Sequence, residues 1–286
     1  LRVSTRAVYG QTGQWLIDPY DITIAATNSN TGNSGGTFTA SADSSSIDVA
    51  TLLAALSGSA VTVSTAGAGT NQTGNITVDS AISDSSTNKL TLNATNGIVL
   101  NAGITRSSSG ALDLIAGSGG LTGNGNLSLG GGVLTISQGG NSTYSGVVSG
   151  SGTSLVKTGS GALTLAGNNS YTGNTTVSAG TLEIGGASTL NGSSATTVAT
   201  GAVLNWTSSA NQNFNGNTTN GNVPLSYALL GGGTVNLGGS GNVSFLGTQG
   251  FAGVLNIAQS VLVNGATSGG LSSLKLGLGS ATAINI

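Results

Sequence analysis

The chain has 286 residues, including 50 glycines and two prolines but no cysteine, histidine or methionine, and its formal net charge is -2. Without cysteine it forms neither a disulfide nor a thiolate metal site. Six lysines and arginines are too few for a surface that tracks phosphates, so nucleic-acid binding is not predicted. A hydrophobic fraction of 37% and a mean hydropathy of +0.22 distinguish the chain from disordered proteins and predict a core of small and medium side chains.

Bulky and charged residues concentrate near the start of the chain, in GQWLIDPYDITIA (residues 13–25). The Asp-Pro dipeptide in this segment predicts a turn. We expect Trp15 and Tyr20 to fill a local widening of the core or a junction between segments. The alternative is a sugar-binding platform, with these two rings as apolar faces and with Asp18 and Asp21 accepting hydrogen bonds from hydroxyl groups.

A segment that favours a helix is DVATLLAALSG, Asp48–Gly58. Asp48 is suited to cap it, Ala50–Leu56 would form two turns, and Gly58 would end it. A further strand is the alternative for this segment.

Most of the remaining chain alternates apolar and polar residues over four or five positions between Gly, Asn and Ser, which predicts short, half-buried strands. These segments are Asn75–Asp79, Lys89–Asn93, Ala111–Ile115, Asn126–Gly130, Val133–Ser137, Ala162–Ala166, Thr181–Gly185, Thr234–Gly238, Val254–Ala258, Val261–Gly265 and Leu274–Leu278.

The strands recur at a nearly constant spacing. Leu90, Leu112 and Leu134 follow one another at equal intervals, and similar intervals separate Leu163–Leu182–Leu204 and Val235–Leu255–Leu274. A repeat of about 19–22 residues is typical of a solenoid, in which each turn buries its apolar face only by stacking on the next turn. The sequence therefore predicts an all-β fold, a parallel β-solenoid forming an elongated rod of roughly 14 turns.

We expect one continuous solenoid fragment over residues 1–286. A variant of this interpretation treats 1–87 as an atypical segment with a short helical or looped insertion and 88–286 as regular repeats. The opening LRVSTRAVYG lacks an apolar signal core, and the final ATAINI stops within a strand-like pattern. These ends predict a piece of a longer protein, and no apolar stretch is long enough to predict a transmembrane helix.

Catalysis, metal binding and ice binding are each disfavoured. Six of the eight acids lie between Asp18 and Asp84, but capping and corner roles explain them, and nothing ties Lys89 and Arg106 to them as a lyase site. No cofactor or metal site is predicted; the Asp43–Asp48 region would be the place for a cation if there were one. An ice-binding array needs Thr-x-Thr on successive turns, and Thr37–Thr39 does not recur at the coil period.

The segment TSLVKTGSGALTLAGNNSYTGNTTVSAGTLEIG (Thr153–Gly185) resembles the autotransporter-associated β-strand repeat. It contains a Lys-Thr-Gly turn, a Leu-Thr-Leu strand, a Tyr-Thr-Gly turn, a Thr-Thr-Val strand and a Gly-Thr-Leu strand. Val133–Gly152 is similar to a degraded copy of it, in which Leu134 corresponds to Leu163 and Tyr144 to Tyr171.

The segments WLIDPYDITI and SIDVATLLAALSGSAVTVSTAGAGTNQTGNITVDSAI are similar to parts of the filamentous-haemagglutinin-like exoproteins of Gram-negative bacteria. Both resemblances imply a right-handed parallel β-solenoid exported by two-partner secretion or as an autotransporter through an outer-membrane translocator. They imply a non-catalytic, secreted or surface-displayed protein for attachment, aggregation or filament and matrix formation. Its partners would be surface glycans or proteins of host or neighbouring cells, or copies of itself, and no ligand-binding residue is assigned.

The second hypothesis is a carbohydrate-active or carbohydrate-binding β-helix. It predicts a groove in which aspartates from adjacent turns converge beside Trp15 or Trp206.

Overall fold

The computed structural model describes residues 20–29, 31–65, 72–188, 195–215, 229–240, 243–246, 250–258, 261–264 and 276–277. Within these ranges the chain is nearly all β, with one short helix, α1 (Val49–Gly58). The strands, in chain order, are β1 (Ile22–Ala25), β2 (Thr31–Ser34), β3 (Thr37–Ala40), β4 (Ser45–Asp48), β5 (Val61–Ser64), β6 (Ile76–Val78), β7 (Ile82–Asp84), β8 (Leu90–Ala94), β9 (Gly97–Leu100), β10 (Ile104–Arg106), β11 (Leu112–Ala116), β12 (Gly120–Gly123), β13 (Leu127–Leu129), β14 (Val133–Gln138), β15 (Ser142–Tyr144), β16 (Val148–Ser149), β17 (Ser154–Thr158), β18 (Ala162–Leu165), β19 (Thr175–Val177), β20 (Thr181–Ile184), β21 (Thr196–Val198), β22 (Val203–Trp206), β23 (Gln212–Asn215), β24 (Leu229–Gly231), β25 (Thr234–Leu237), β26 (Val243–Leu246), β27 (Gly250–Phe251), β28 (Val254–Ile257), β29 (Val261–Asn264) and β30 (Leu276–Gly277).

These strands form a parallel β-solenoid, as predicted, and its sheets make up three faces. Face A is one sheet in the order β2-β3-β5-β8-β11-β14-β17-β19-β21-β24-β27. Face B comprises the sheets β12-β9-β6-β1-β4 and β15-β18-β20-β22-β25-β28-β30, which follow one another because β12 lies beside β15. Face C comprises β16-β13-β10-β7 and β23-β26-β29.

Alternation along each strand explains the core. On face A, Leu90, Leu112, Leu134 and Leu155 pair in register from coil to coil, and all four are fully buried. Their polar neighbours point outward, so each coil contributes apolar side chains to one continuous interior.

Face B has an equivalent inner row, in which Leu163 pairs with Leu182, Leu182 with Leu204, and Val235 with Leu255. The predicted alignment of Leu255 with Leu274 is wrong, because Leu255 pairs with Leu276. A two-residue shift preserves the alternation and therefore leaves the apolar pattern of the sequence unchanged.

The prediction of roughly 14 turns is also wrong, since the residues that the structure describes form about nine. One reason is the coil after β21, where Thr196 pairs with Leu229 across a stretch of chain far longer than the one between Leu90 and Leu112. Another reason is the N-terminal end, where β1 to β4 and α1 do not follow the pattern of one strand on each face per coil. β1 lies between β4 and β6, and β2 pairs antiparallel with β3.

The predicted helix is confirmed as α1, and its boundary differs slightly at the C-terminus. Asp48 is its N-cap, with Oδ1 accepting from Thr51 N at 2.8 Å. Gly58 is the last helical residue rather than the stop signal, and Ser59 follows in an extended conformation. Leu52 and Leu56 are fully buried, and the helix packs beside β7, the outermost strand of its sheet on face C. The helix therefore covers part of the first coils, as a cap does in repeat proteins.

The proposed correspondence between Val133–Gly152 and the repeat at Thr153–Gly185 is wrong in three dimensions. Leu134 lies on face A and pairs with Leu155, whereas Leu163 lies on face B and pairs with Ser142. Tyr144 belongs to β15 on face B, but Tyr171 follows Ser170, whose N–H donates to Val148 O on face C. The two segments resemble each other in composition while they occupy different parts of successive coils.

Candidate functional surface

Face A carries the broadest outward surface of the described solenoid. Its central outward positions, which we call the threonine row, pair in register from strand to strand; they are Thr37, Thr62, Thr91, Asp113, Thr135, Val156, Thr176, Thr197 and Leu230. A second row, two residues further along each strand, contains Thr39, Ser64, Asn93, Ile115, Ser137 and Thr158. Thr91 in the first row and Ser64 in the second are buried, so the exposed surface is formed by the other members of the two rows.

Threonines therefore align along face A more regularly than their sequence spacing predicts. The Thr-x-Thr pair itself does not recur on the next strands, because the residue two positions after Thr62 is Ser64 and the one two positions after Thr91 is Asn93. With strands about 4.8 Å apart and outward residues about 7 Å apart along a strand, the rows form a regular lattice of hydroxyl and amide groups.

Face B carries an outward row of a different kind. Its C-terminal part is an asparagine ladder, in which Asn236 Nδ2 donates to Asn205 Oδ1 and Asn256 Nδ2 to Asn236 Oδ1, both at 2.7 Å. In the same row Glu183 pairs with Asn205 and with Thr164. The half-exposed Glu183 carboxylate accepts from Thr207 Oγ1 at 3.2 Å.

Charge is nearly absent from most of this surface. Between Leu114 and Ala258 the sequence contains two charged residues, Lys157 and Glu183. Lys157 is fully buried, so Glu183 is the one outward charge of that stretch. Near the N-terminal end, Lys89 Nζ and Asp113 Oδ2 form an ion pair of 2.5 Å on face A.

Lys157 points into the core at the corner between faces A and B. Its ammonium donates to Thr158 O at 2.6 Å, Gly159 O at 3.0 Å and, in the next coil, Ala179 O at 3.5 Å. Burial lowers the pKa of Lys157 to about 8, while the three carbonyl oxygens favour the charged form. The side chain ties two consecutive corners together. Strict alternation in Leu155-Val-Lys157 already predicts an inward lysine, a signal that the sequence interpretation overlooked.

Arg106 has a similar position at the corner between faces C and A. Its Nη2 lies 2.8 Å from Asp84 Oδ2 and also donates to the carbonyls of Ser86 and Asn88, while its Nη1 donates to Ala111 O. Burial lowers the pKa of Arg106, and the Asp84 charge opposes that shift. Both Arg106 and Asp84 are buried, so neither is placed to act on a substrate.

Three further carboxylates, those of Asp21, Asp48 and Asp79, also have structural contacts. Asp21 Oδ1 accepts from the N–H groups of Gly74 and Asn75 at 2.8 and 2.6 Å, and Asp79 Oδ1 accepts from Asn101 Nδ2 at 2.7 Å. The Thr51 N–H lowers the pKa of Asp48, the helix cap. No cluster of three potential metal ligands occurs among the residues that the structure describes, including the Asp43–Asp48 region.

The groove predicted by the carbohydrate hypothesis is not formed at Trp206. This ring is fully buried in the core, where it follows the inward Leu204 by two positions, and it offers no face to a sugar. Trp15 and Asp18 lie outside the described residues. Tyr20 is half buried and packs against the core, as predicted for a filler of the interior.

Two tyrosines are also among the largest buried side chains of the described core. The Tyr144 hydroxyl donates to Gly125 O, and the Tyr171 hydroxyl lies 2.9 Å from Thr175 Oγ1. Burial raises the pKa of both phenols well above the usual value. Their hydroxyl groups therefore stay protonated and join successive segments of the coil.

Part of the chain matches a known family. The family model described as passenger-associated-transport-repeat matches residues 155–184, within the segment Thr153–Gly185. No curated protein matches, and neither does any solved structure. Among the described residues, no helix is long and apolar enough to cross a membrane. The chain thus combines a β-solenoid with a repeat that is typical of autotransporter passengers, and the resemblance to filamentous-haemagglutinin-like proteins stays a prediction.

Proposed function

We propose that the chain is part of the passenger of a Gram-negative autotransporter or two-partner exoprotein, carried to the cell surface or medium through an outer-membrane translocator. There it acts as a non-catalytic rod for attachment, aggregation or matrix formation. The passenger-associated repeat at residues 155–184 and the continuous parallel ladder support this function.

The observation that carries the proposal is the outward surface of the ladder. Hydroxyl and amide side chains recur in register over many coils, and between Leu114 and Ala258 Glu183 alone adds an outward charge. Each such group makes a weak contact, but a rod repeats the contact along its length, and many rods on one cell multiply it. Surface glycans, surface proteins or further copies of the chain all offer the complementary hydrogen-bonding groups.

The contacts of the charged residues support a non-catalytic role. Asp84 and Arg106 bind each other in the core, Lys89 binds Asp113, and Lys157 binds backbone carbonyls. These side chains stabilise corners and coils, whereas general acid–base catalysis requires groups that reach a substrate.

The test is display of the chain, fused to an outer-membrane translocator, on a Gram-negative host that lacks adhesins. We expect the displayed rod to be accessible to external antibody and to increase attachment to glass or to cultured cells, or cell settling, relative to the translocator alone. Display without any of these gains would overturn the proposal. Hydrolysis or cleavage of a polysaccharide by the purified chain would contradict the non-catalytic role.

A further inference from the structure

We propose that face B, from β20 to β28, binds a linear β-1,4-linked polysaccharide that contains amino sugars, with the glycan chain lying along the rod axis. This inference rests on the proposed function and names the chemistry of one surface partner. The contact is a flat face and not a groove of the kind predicted beside Trp206. Two outward rows of side chains, which repeat with different periods, support it.

The strands of this part of face B lie side by side in register. β20, β22, β25 and β28 each have four residues, and they pair in this order from coil to coil. Each contributes two outward positions, whereas β19 and β21 of face A have three residues and one outward position each. The two outward rows lie about 7 Å apart, and successive coils about 4.8 Å apart. A surface of this width accommodates one extended sugar chain.

The first row, which we call the amide row, repeats with the period of one coil. It consists of Glu183, Asn205, Asn236 and Asn256. An amide group has two N–H donors and accepts two hydrogen bonds. At Asn236 the ladder uses one of each, through Asn205 Oδ1 and Asn256 Nδ2, and thereby fixes the amide plane. The second N–H and the second lone pair can bind sugar hydroxyl groups, and the fixed orientation reduces the entropy that binding costs.

The second row, which we call the alternating row, repeats with the period of two coils. Thr181, Val203, Thr234 and Val254 follow one another in register, so hydroxyl and apolar side chains alternate along the rod. In an extended β-1,4-linked chain each sugar is turned over relative to the one before it, and each advances by slightly more than one coil spacing. One edge of the glycan therefore shows the hydroxymethyl group of one sugar and the C2 substituent of the next. The alternating row has this two-sugar repeat.

Charge distinguishes among β-1,4-linked glycans. Glu183 begins the amide row beside Asn205, and it is the one outward charge between Leu114 and Ala258. Its carboxylate accepts from Thr207 Oγ1 at 3.2 Å and has lone pairs for further donors. The ammonium group of an unacetylated amino sugar complements this carboxylate, whereas a uronic acid would be repelled. The face therefore favours amino-sugar polysaccharides over acidic ones.

The experiment exchanges residues of the alternating row without changing its composition. Val203→Thr/Thr234→Val keeps two β-branched, half-buried outward residues but breaks the alternation, and Val156→Thr/Thr176→Val is the same exchange on face A. Displayed chains are titrated with a labelled β-1,4-linked glucosamine tetrasaccharide, at a mildly acidic pH at which its amines are protonated. We expect the exchange on face B to lower affinity by about fivefold and the one on face A to leave it within about twofold of wild type. Equal resistance to external protease confirms that both variants fold.

A second variant tests the charge. Glu183→Gln should lower affinity for the glucosamine tetrasaccharide by about threefold and leave affinity for the β-1,4-linked glucose tetrasaccharide unchanged, because glucose has no amine. An unchanged affinity for glucosamine in Glu183→Gln would overturn the choice of an amino sugar. Equal effects of the two exchanges, or no binding above that of cells with the translocator alone, would overturn the assignment of face B. Cells that bind no tetrasaccharide but still attach to glass or cultured cells would overturn this inference and leave the proposed function intact.

Discussion

Asp84 and Arg106 lie opposite each other on the neighbouring strands β7 and β10, with Oδ2 and Nη2 2.8 Å apart in the solenoid interior. Arg106 also binds backbone carbonyls on both sides of the corner, so the pair joins two coils. Among these partners of Arg106, the Asp84 carboxylate carries the negative charge, and the others are backbone carbonyls.

Replacing Asp84 by alanine should therefore destabilise this corner strongly. An unpaired buried guanidinium costs about 3–5 kcal/mol. We expect Asp84→Ala to lower the denaturant midpoint and to speed hydrogen exchange in β7 and β10. The double variant Asp84→Ala/Arg106→Met should recover much of the loss, because it removes the unpaired charge. A single variant as stable as wild type would contradict the pairing.

Leu163 and Leu165 should be essential to the stack of coils on face B. Both are fully buried on β18, between Ser142–Tyr144 and Thr181–Ile184. Each Leu→Ala change in a core costs about 2–5 kcal/mol. We expect the double alanine variant to melt well below wild type in circular dichroism. The control is Thr164→Ala in the same strand, which faces outward and should change the melting temperature little.

Stability should rise with pH through the titration of Lys157. Its folded-state pKa is about 8, below the ordinary value of 10.5, so the unfolded chain binds more protons between these two values. Below pH 8, Lys157 is protonated in both the folded and the unfolded chain, so the full cost of burying its charge lowers the free energy of unfolding. This cost decreases as the pH rises to 10.5. Each unit by which folding lowers the pKa corresponds to about 1.4 kcal/mol in the free energy of unfolding.

Denaturation curves between pH 7 and 10.5 measure this effect. Lys157→Met should remove most of the dependence, whereas Lys89→Met, at a half-exposed lysine paired with Asp113, should retain it. A wild-type stability that falls over this range would contradict the assignment.

The alternation of apolar and polar residues predicts most strands and their inward residues. The same rule places Lys157, Arg106 and Trp206 inside, since each follows an inward leucine or isoleucine by two positions. Residue type argues against these inward positions, because buried cations and a buried indole are unusual in a narrow core. For these three residues, the alternation predicts burial correctly and the residue type does not.

The candidate surface was harder to predict than the core. The threonine row depends on coil-to-coil register, and the spacing between paired positions varies, being shorter from Leu155 to Thr175 than from Leu90 to Leu112. Such variation is absorbed at corners, where glycine and asparagine patterns do not reveal the length of a turn. The insertion of β1 between β4 and β6 likewise arises from chain order that local patterns do not encode.

The asparagine ladder should stabilise the long coil between β22 and β25. Asn236 donates to Asn205 and accepts from Asn256, so Asn236→Ala removes both contacts, whereas Asn256→Ala removes one. A side-chain hydrogen bond contributes about 0.5–1.5 kcal/mol, so we expect the first variant to lose about twice as much stability as the second. Thr234→Ala, an outward change in the same strand, controls for loss of β propensity. Equal losses of stability in Asn236→Ala and Thr234→Ala would mean that the side-chain hydrogen bonds of the ladder do not stabilise the coils.

Gly159 should be intolerant of any side chain for two reasons, which a pair of variants separates. Its φ is +73°, and a Cβ atom would lie 2.4 Å from Gln138 O in the preceding coil. Gly201 also has a positive φ, +83°, but a Cβ there meets nothing within 4 Å. Left-handed backbone costs an L-residue about 1–2 kcal/mol, so Gly201→Ala should lose about that much.

Gly159→Ala should lose clearly more, because the backbone of one coil must also move away from the next. Denaturant midpoints and hydrogen exchange at β17 and β18 measure both changes. Equal losses at the two glycines would show that the corner between faces A and B can widen freely, and that the carbonyl contacts of Lys157 do not hold these coils at a fixed distance.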